Sequence, residues 1–213
     1  MLDAPARQVE GVSSSVADMP KTKKKGILCL EGDWWGLRDS TTVEPVLMLL
    51  QRYSGSAVPY VHRDVGTIEE FDYYLAKWSQ RGFATHPILY LGFHGSRGVL
   101  YMRRKGAEVS LEELADRLEG RCARRVIFFA SCGTLDVHGA RLNSFLWKTG
   151  ASAICGYRRE VDWLQSTTLE LLVLGMLQDC SFAPAGMRRF LPRLRAAARG
   201  LVKKLDFRMK VRR

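Results

Sequence analysis

Apolar residues along the chain fall into short runs separated by amphipathic stretches. Gly26-Ile-Leu-Cys-Leu30 is a compact apolar run, the pattern of a buried parallel strand. Thr41-Thr42-Val43-Glu44-Pro45 opens a helical pattern whose apolar face is Val46, Leu47, Leu49 and Leu50. Val58–Val61 predicts a second strand, and Pro59 assigns it to a sheet edge because proline has no N–H to donate. Thr67 and Glu70 form a capping box for a helix over 68–80. Pro87–Phe93 is the third strand and ends at His94-Gly95-Ser96. Val99–Met102 and Ala107–Val109 predict a hairpin with the basic tip Arg103-Arg104-Lys105-Gly106. Ser110 and Glu113 cap a helix that ends near Gly120. Arg125–Ala130 is the fourth strand, ending at Ser131-Cys132-Gly133. A helix over 137–149 stops at Gly150, Ala151–Gly156 is the fifth strand, and 163–178 is a strongly apolar helix. This alternation of strand and helix predicts an α/β fold with a mostly parallel sheet covered on both faces.

The 213 residues suffice for one domain, and 46% hydrophobic with 26% charged residues is a globular composition. Wholly disordered, collagen-like and coiled-coil chains are excluded. Residues 1–22 predict a flexible leader rich in Ser, Ala and Asp, and 23–213 a single domain. The longest apolar run, Leu171–Leu177, is far short of the roughly 20 residues that span a bilayer. The first twenty residues hold no apolar segment of the secretory kind. The five cysteines show no CxxC and no zinc-ligand spacing, which fits a reduced cytoplasm.

Charge changes the picture at the ends. Residues 187–213 hold eleven Lys or Arg against the single acid Asp206, within a net charge of +11 for the whole chain. Leu191, Leu194, Ala198, Leu201, Val202 and Leu205 recur at helical spacing, so a basic C-terminal helix is expected from about 187. Its basic surface is either a solvated face or a contact for nucleic acid, an acidic protein or anionic lipid. With only Phe190 and Phe207 to stack on bases, specific single-strand binding is disfavoured.

Sites in parallel sheets form at the carboxyl ends of strands. Two successive core strands here end in His94 and Cys132, each followed by Gly. A Cys beside a His is a nucleophile with its base, and backbone N–H groups at Gly95 and Cys132 would stabilise the oxyanion formed on a carbonyl.

The segments Leu91-Gly-Phe-His-Gly95 and Phe128-Phe-Ala-Ser-Cys-Gly133 resemble the caspase-like cysteine peptidases, and Phe145–Gly156 is similar to the CHAT proteins among them. The resemblance covers about residues 26–180 and extends to compact bacterial caspase-like proteins. It implies a caspase-like three-layer α/β/α sandwich and a cysteine endopeptidase. His94 and Cys132 match the dyad, and Gly95 matches the oxyanion-hole glycine. The residues before and after Cys132 depart from the caspase Gln-Ala-Cys and from the acid that usually follows the CHAT cysteine, which bears on substrate preference. Asp162 matches an Asp common in CHAT proteins, implying cleavage after Lys or Arg, to which Glu31 and Asp33 would add negative charge. Arg38 and Arg158 lie where caspases place the bases that bind Asp. The substrate is then a protein or peptide, regulated by an activating partner or by processing, and no metal or organic cofactor is implied.

His138 is a rival base, His62 and His86 are expected to be structural, and Cys122 between arginines is expected at a helix end or surface. The alternative function is an inactive caspase-like module that binds a partner or nucleic acid through its basic C-terminal surface. A nucleotide-binding module ranks last, since GxGxxG and GxxxxGK[ST] are both absent.

Overall fold

The computed structural model describes residues 23–36, 38–52, 57–102 and 107–213. The leader at 1–22 and the basic hairpin tip at 103–106 lie outside the described residues. Nine strands, β1 (Ile27–Glu31), β2 (Tyr60–Asp64), β3 (Ile88–Gly92), β4 (His94–Ser96), β5 (Val99–Tyr101), β6 (Glu108–Ser110), β7 (Val126–Ala130), β8 (Ala153–Tyr157) and β9 (Phe207–Val211), are described. The α-helices are α1 (Glu44–Arg52), α2 (Ile68–Trp78), α3 (Leu111–Arg117), α4 (Gly139–Thr149), α5 (Trp163–Gln178) and α6 (Pro184–Lys204).

Six strands form the main sheet in the order β2-β1-β3-β7-β8-β9, parallel except for β9. Buried strands of five apolar residues present alternate side chains to opposite faces. Ile27, Cys29, Tyr90, Phe128 and Tyr157 pack against α1, α5 and α6. Leu28, Leu30, Leu91, Phe129 and Ile154 pack against α2, α3 and α4. The result is a three-layer α/β/α sandwich. β2 is the edge strand that Pro59 predicted. β4, β5 and β6 form a separate antiparallel sheet that begins at His94.

Both predicted capping boxes are present, at Thr67–Glu70 and Ser110–Glu113. The C-terminus differs from expectation. α6 starts at Pro184, which suits the first helical position because its missing N–H has no helical partner there. The helix then kinks at Ala198 (φ −144°, ψ 43°). Asp206, with φ +47°, turns the chain into β9, which adds antiparallel to β8. The basic segment is therefore a helix followed by an edge strand, with Phe207 and Met209 turned into the core. Among the described residues no helix is long and apolar enough to cross a membrane.

Candidate active site

Strand order and register bring the two reactive residues together. β3 and β7 are hydrogen-bonded neighbours, and Gly92 pairs with Ala130. His94 and Cys132 each lie two residues beyond that pair, on strands roughly 4.8 Å apart. The order in which the chain adds parallel strands reverses at β1, with β2 on one side and β3 on the other, which opens a crevice at the strand ends. His94, Cys132, Trp34, Trp163 and Glu170 all line one cleft there, with a volume of about 50 Å³.

Trp34, in the loop after β1, positions His94. Its carbonyl lies 2.5 Å from His94 Nε2. A carbonyl only accepts, so Nε2 carries the proton and neutral His94 presents a bare Nδ1. The edges of Trp34 and Trp35 meet the imidazole at centroid distances of 5.3 Å each. Trp34 in turn meets Trp163 at 4.8 Å and nearly perpendicular, and both rings line the cleft.

Gly95 fits closely against the Cys132 turn. A Cβ there would overlap the Thr134 hydroxyl and approach the Cys132 carbonyl to 3.1 Å. The turn itself is held by the Ser131–Thr134 hydroxyl pair (2.7 Å) and by Gly133 N–H donating to the Arg159 carbonyl (3.0 Å). Gly133 takes φ +63°, a conformation that suits glycine. The Cys132 N–H makes no hydrogen bond among the described residues.

Cys132 is half-buried, whereas the other four cysteines are buried. Burial pushes its thiol above the ordinary range, partly offset by the Val161 N–H and reinforced by the charges of Glu160 and Glu170. The resting sulfur is a thiol rather than a thiolate. Cys122, expected at a helix end or surface, lies just past the end of α3 but is fully buried, and burial pushes it up to about 12 against the pull of Arg125 and Arg121.

The acids fall differently from expectation. Glu31 is turned inward and only 2% exposed. Its oxygens accept from Trp34 Nε1 (2.5 Å), the Thr42 hydroxyl (2.7 Å), Val43 N–H (2.8 Å) and His62 Nε2 (2.6 Å). Burial alone would raise its pKa, but these four hydrogen bonds outweigh that and hold it below the usual carboxylate value. This corrects its assignment to substrate binding: Glu31 anchors the Trp34 loop from beneath. Asp162 is exposed and caps α5, accepting from Gln165 N–H at 2.9 Å, so its carboxylate serves the helix rather than the cleft. Asp33 is exposed on the loop before Trp34. His138 borders polar cavities beside β9 and does not line the cleft of Cys132.

The acid in the cleft is one that sequence reasoning did not select. Glu170, on α5, is 4% exposed and accepts from the hydroxyls of Tyr90 (2.5 Å) and Tyr157 (3.0 Å). Burial raises its carboxyl to about 7, although the two tyrosines draw it down. Its sequence signal is a lone acid in a helix that is otherwise apolar all round.

These features define a class: an α/β/α sandwich with a histidine and a cysteine in one cleft at the carboxyl ends of neighbouring strands. The chain belongs to the family of unknown function DUF6642, which matches residues 24–210. No curated protein matches the chain.

Proposed function

We propose that this protein is a cysteine endopeptidase using the His94–Cys132 dyad, with Glu170 selecting a Lys or Arg side chain at the cleaved bond. The supporting observation is the single cleft lined by His94, Cys132 and the buried carboxyl of Glu170. The thiol is neutral at rest, so His94 acts as a general base during attack. As the Cys132 sulfur bonds to the substrate carbonyl carbon, its proton passes to His94 Nδ1 and the carbonyl electron pair moves to oxygen. The N–H groups of Gly95 and Cys132 receive that oxyanion. The imidazolium, still held by the Trp34 carbonyl, then gives its proton to the departing amine. The thioester left behind is hydrolysed by water.

A cleft of about 50 Å³ holds one or two waters. Substrate entry therefore parts the Trp34–Trp163 contact, and the charge of Lys or Arg is paired with Glu170 in an apolar surrounding. The test is a panel of peptides differing only at the residue before the scissile bond, run with the wild type, Cys132→Ala and Glu170→Gln. Turnover of Lys or Arg peptides that Cys132→Ala abolishes and Glu170→Gln selectively impairs is expected. Absence of turnover across the panel, with alkylation of Cys132 indifferent to His94→Ala, would overturn the peptidase reading.

The second reading is the non-hydrolytic binding module. The raised Cys132 thiol favours it, since a standing nucleophile is usually held low.

A further inference from the structure

Two polar cavities of about 400 and 270 Å³ adjoin on the face formed by the start of α4, α6 and β9. They share Val137, His138 and Arg158. Their walls carry Arg97, Arg141, Arg158, Arg195 and Arg208, while the lining acids are Asp136 and Asp206.

The pairing within this set is uneven. Arg97 meets Asp136 at 2.9 Å, and Arg141 forms a two-pronged pair with Glu112 at 2.6 and 2.8 Å. Arg158 comes no closer than 3.7 Å to Asp136 or Asp206, and Arg159 stands 3.9 Å from Asp206. Arg195 is exposed and makes no ion pair among the described residues. Cations therefore outnumber the acids that face them.

Arg208 sharpens the imbalance. Its Nη1 donates to the carbonyls of Leu135 (2.9 Å) and Val137 (2.7 Å), which fixes the guanidinium in the wall. Its Nη2 lies 3.8 Å from where a Cβ on Gly139 would stand, at the first residue of α4. That helix end has neither a side-chain cap nor an acid in its first turn. A fixed guanidinium thus faces the positive end of a helix, beside a second arginine. Burial and the charge of Arg158 work against the Arg208 proton and outweigh the support of Asp136 and Asp206. Like charges held together by the fold are relieved by a bound anion.

We propose that these joined cavities bind a polyphosphate chain, with successive phosphates held by Arg208 and Arg195 in one chamber and by Arg158 at the junction. The guanidinium fork matches two phosphate oxygens at once. Two chambers joined at Arg158 suit a chain of linked phosphates better than a single anion. A nucleic-acid strand fits less well, since Phe207 and His138 are the only rings among the described lining residues on which bases could stack. The site shares no lining residue with the His94–Cys132 cleft and does not depend on the peptidase reading.

Titration calorimetry of the full chain with inorganic tripolyphosphate and with ATP, at low and raised salt, tests this. Both are expected to bind, more weakly as salt rises. Arg158→Gln and Arg195→Gln are each expected to lose about tenfold or more in affinity. Arg188→Gln, on α6 outside both cavities, should bind as the wild type does. The Arg195 side chain, exposed on α6, makes no ion pair among the described residues, so its variant separates binding from folding. Equal affinity for the two anions assigns binding to the phosphate chain alone; tighter ATP adds contacts to the nucleoside. Absence of binding by both anions overturns the proposal, as does equal weakening by all three variants, which is diffuse attraction to a basic surface.

Discussion

Glu170→Gln should make the protein more stable at neutral and alkaline pH and leave it nearly unchanged below pH ~4. Burial displaces the Glu170 carboxyl from the ordinary 4.5 to about 7. A tenfold change in proton affinity is worth about 1.4 kcal/mol, so the ionised carboxylate costs the fold about 3 kcal/mol. The direction follows from which state binds the proton more tightly. Well below pH 4.5 both states are protonated and the cost is absent. As pH rises past 4.5 the unfolded chain ionises first and is favoured, and the cost reaches its full value once the folded carboxyl ionises near 7. Glutamine keeps the shape without the charge. The Tyr157 hydroxyl lies 3.2 Å from the Ser166 carbonyl. It can donate there and accept from the new amide, while Tyr90 still donates to the amide oxygen. Denaturant unfolding of both proteins across pH isolates this group, because other titrations cancel in the difference. The curves should nearly coincide at pH ~4 and separate by about 3 kcal/mol at pH ~8, or roughly 5–10 °C in Tm for a chain this long. Parallel curves would refute the reasoning, and would mean that the two tyrosine hydroxyls compensate the buried charge in full.

The other expectations follow from the same geometry. Glu31→Gln removes the charge that His62 faces at 2.6 Å and should cost about 2–4 kcal/mol near pH 6, measured by denaturant unfolding. That loss should shrink in acid, where Glu31, held below 4.5, finally protonates. It should shrink again as pH climbs through the folded pKa of His62, whose burial opposes the charge but which Glu31 raises above 6.5. Gly95→Ala forces a Cβ into the Thr134 hydroxyl and should cost about 1–3 kcal/mol, with faster amide exchange across residues 131–134. Native alkylation followed by mass mapping should label Cys132 first and leave Cys29, Cys122 and Cys155 unmodified until unfolding; prior labelling of a buried cysteine would contradict this packing. The Cys132 rate should still be climbing at pH ~9, because burial lifts its thiol.

Most of the sheet was readable because its strands are five-residue apolar runs, which have few alternatives once glycines and capping boxes bracket them. α5 matched its predicted span of 163–178. β9 was missed for a definite reason. Phe207-Arg-Met-Lys-Val211 alternates apolar and charged residues, the signature of a half-buried strand. The helical spacing that runs to Leu205 masked the change of period. The chain leaves the helix at Asp206 through a positive φ, in a residue type that tolerates it but does not announce it. The kink at Ala198 is equally silent, since alanine is a strong helix former.

The site was half legible, and the division has a physical basis. Periodicity places a residue on a strand end, so His94 and Cys132 were found; their adjacency came from strand order, which the β3–β7 pairing supplies. Which acid faces the cleft is a different question, because a carboxylate is recruited by whatever donors lie near it in space. Glu31 follows a core strand and looked like a rim residue, yet Trp34, Thr42, Val43 and His62 supply four donors beneath the loop and draw it inward. Asp162 precedes a helix, and the free N–H groups of its first turn claim it. Glu170 has no such local partner. Two tyrosines from β3 and β8 reach it across the sheet face, 80 and 13 residues away in sequence. The acid least accounted for by its sequence neighbours is therefore the one that lines the cleft beside His94 and Cys132.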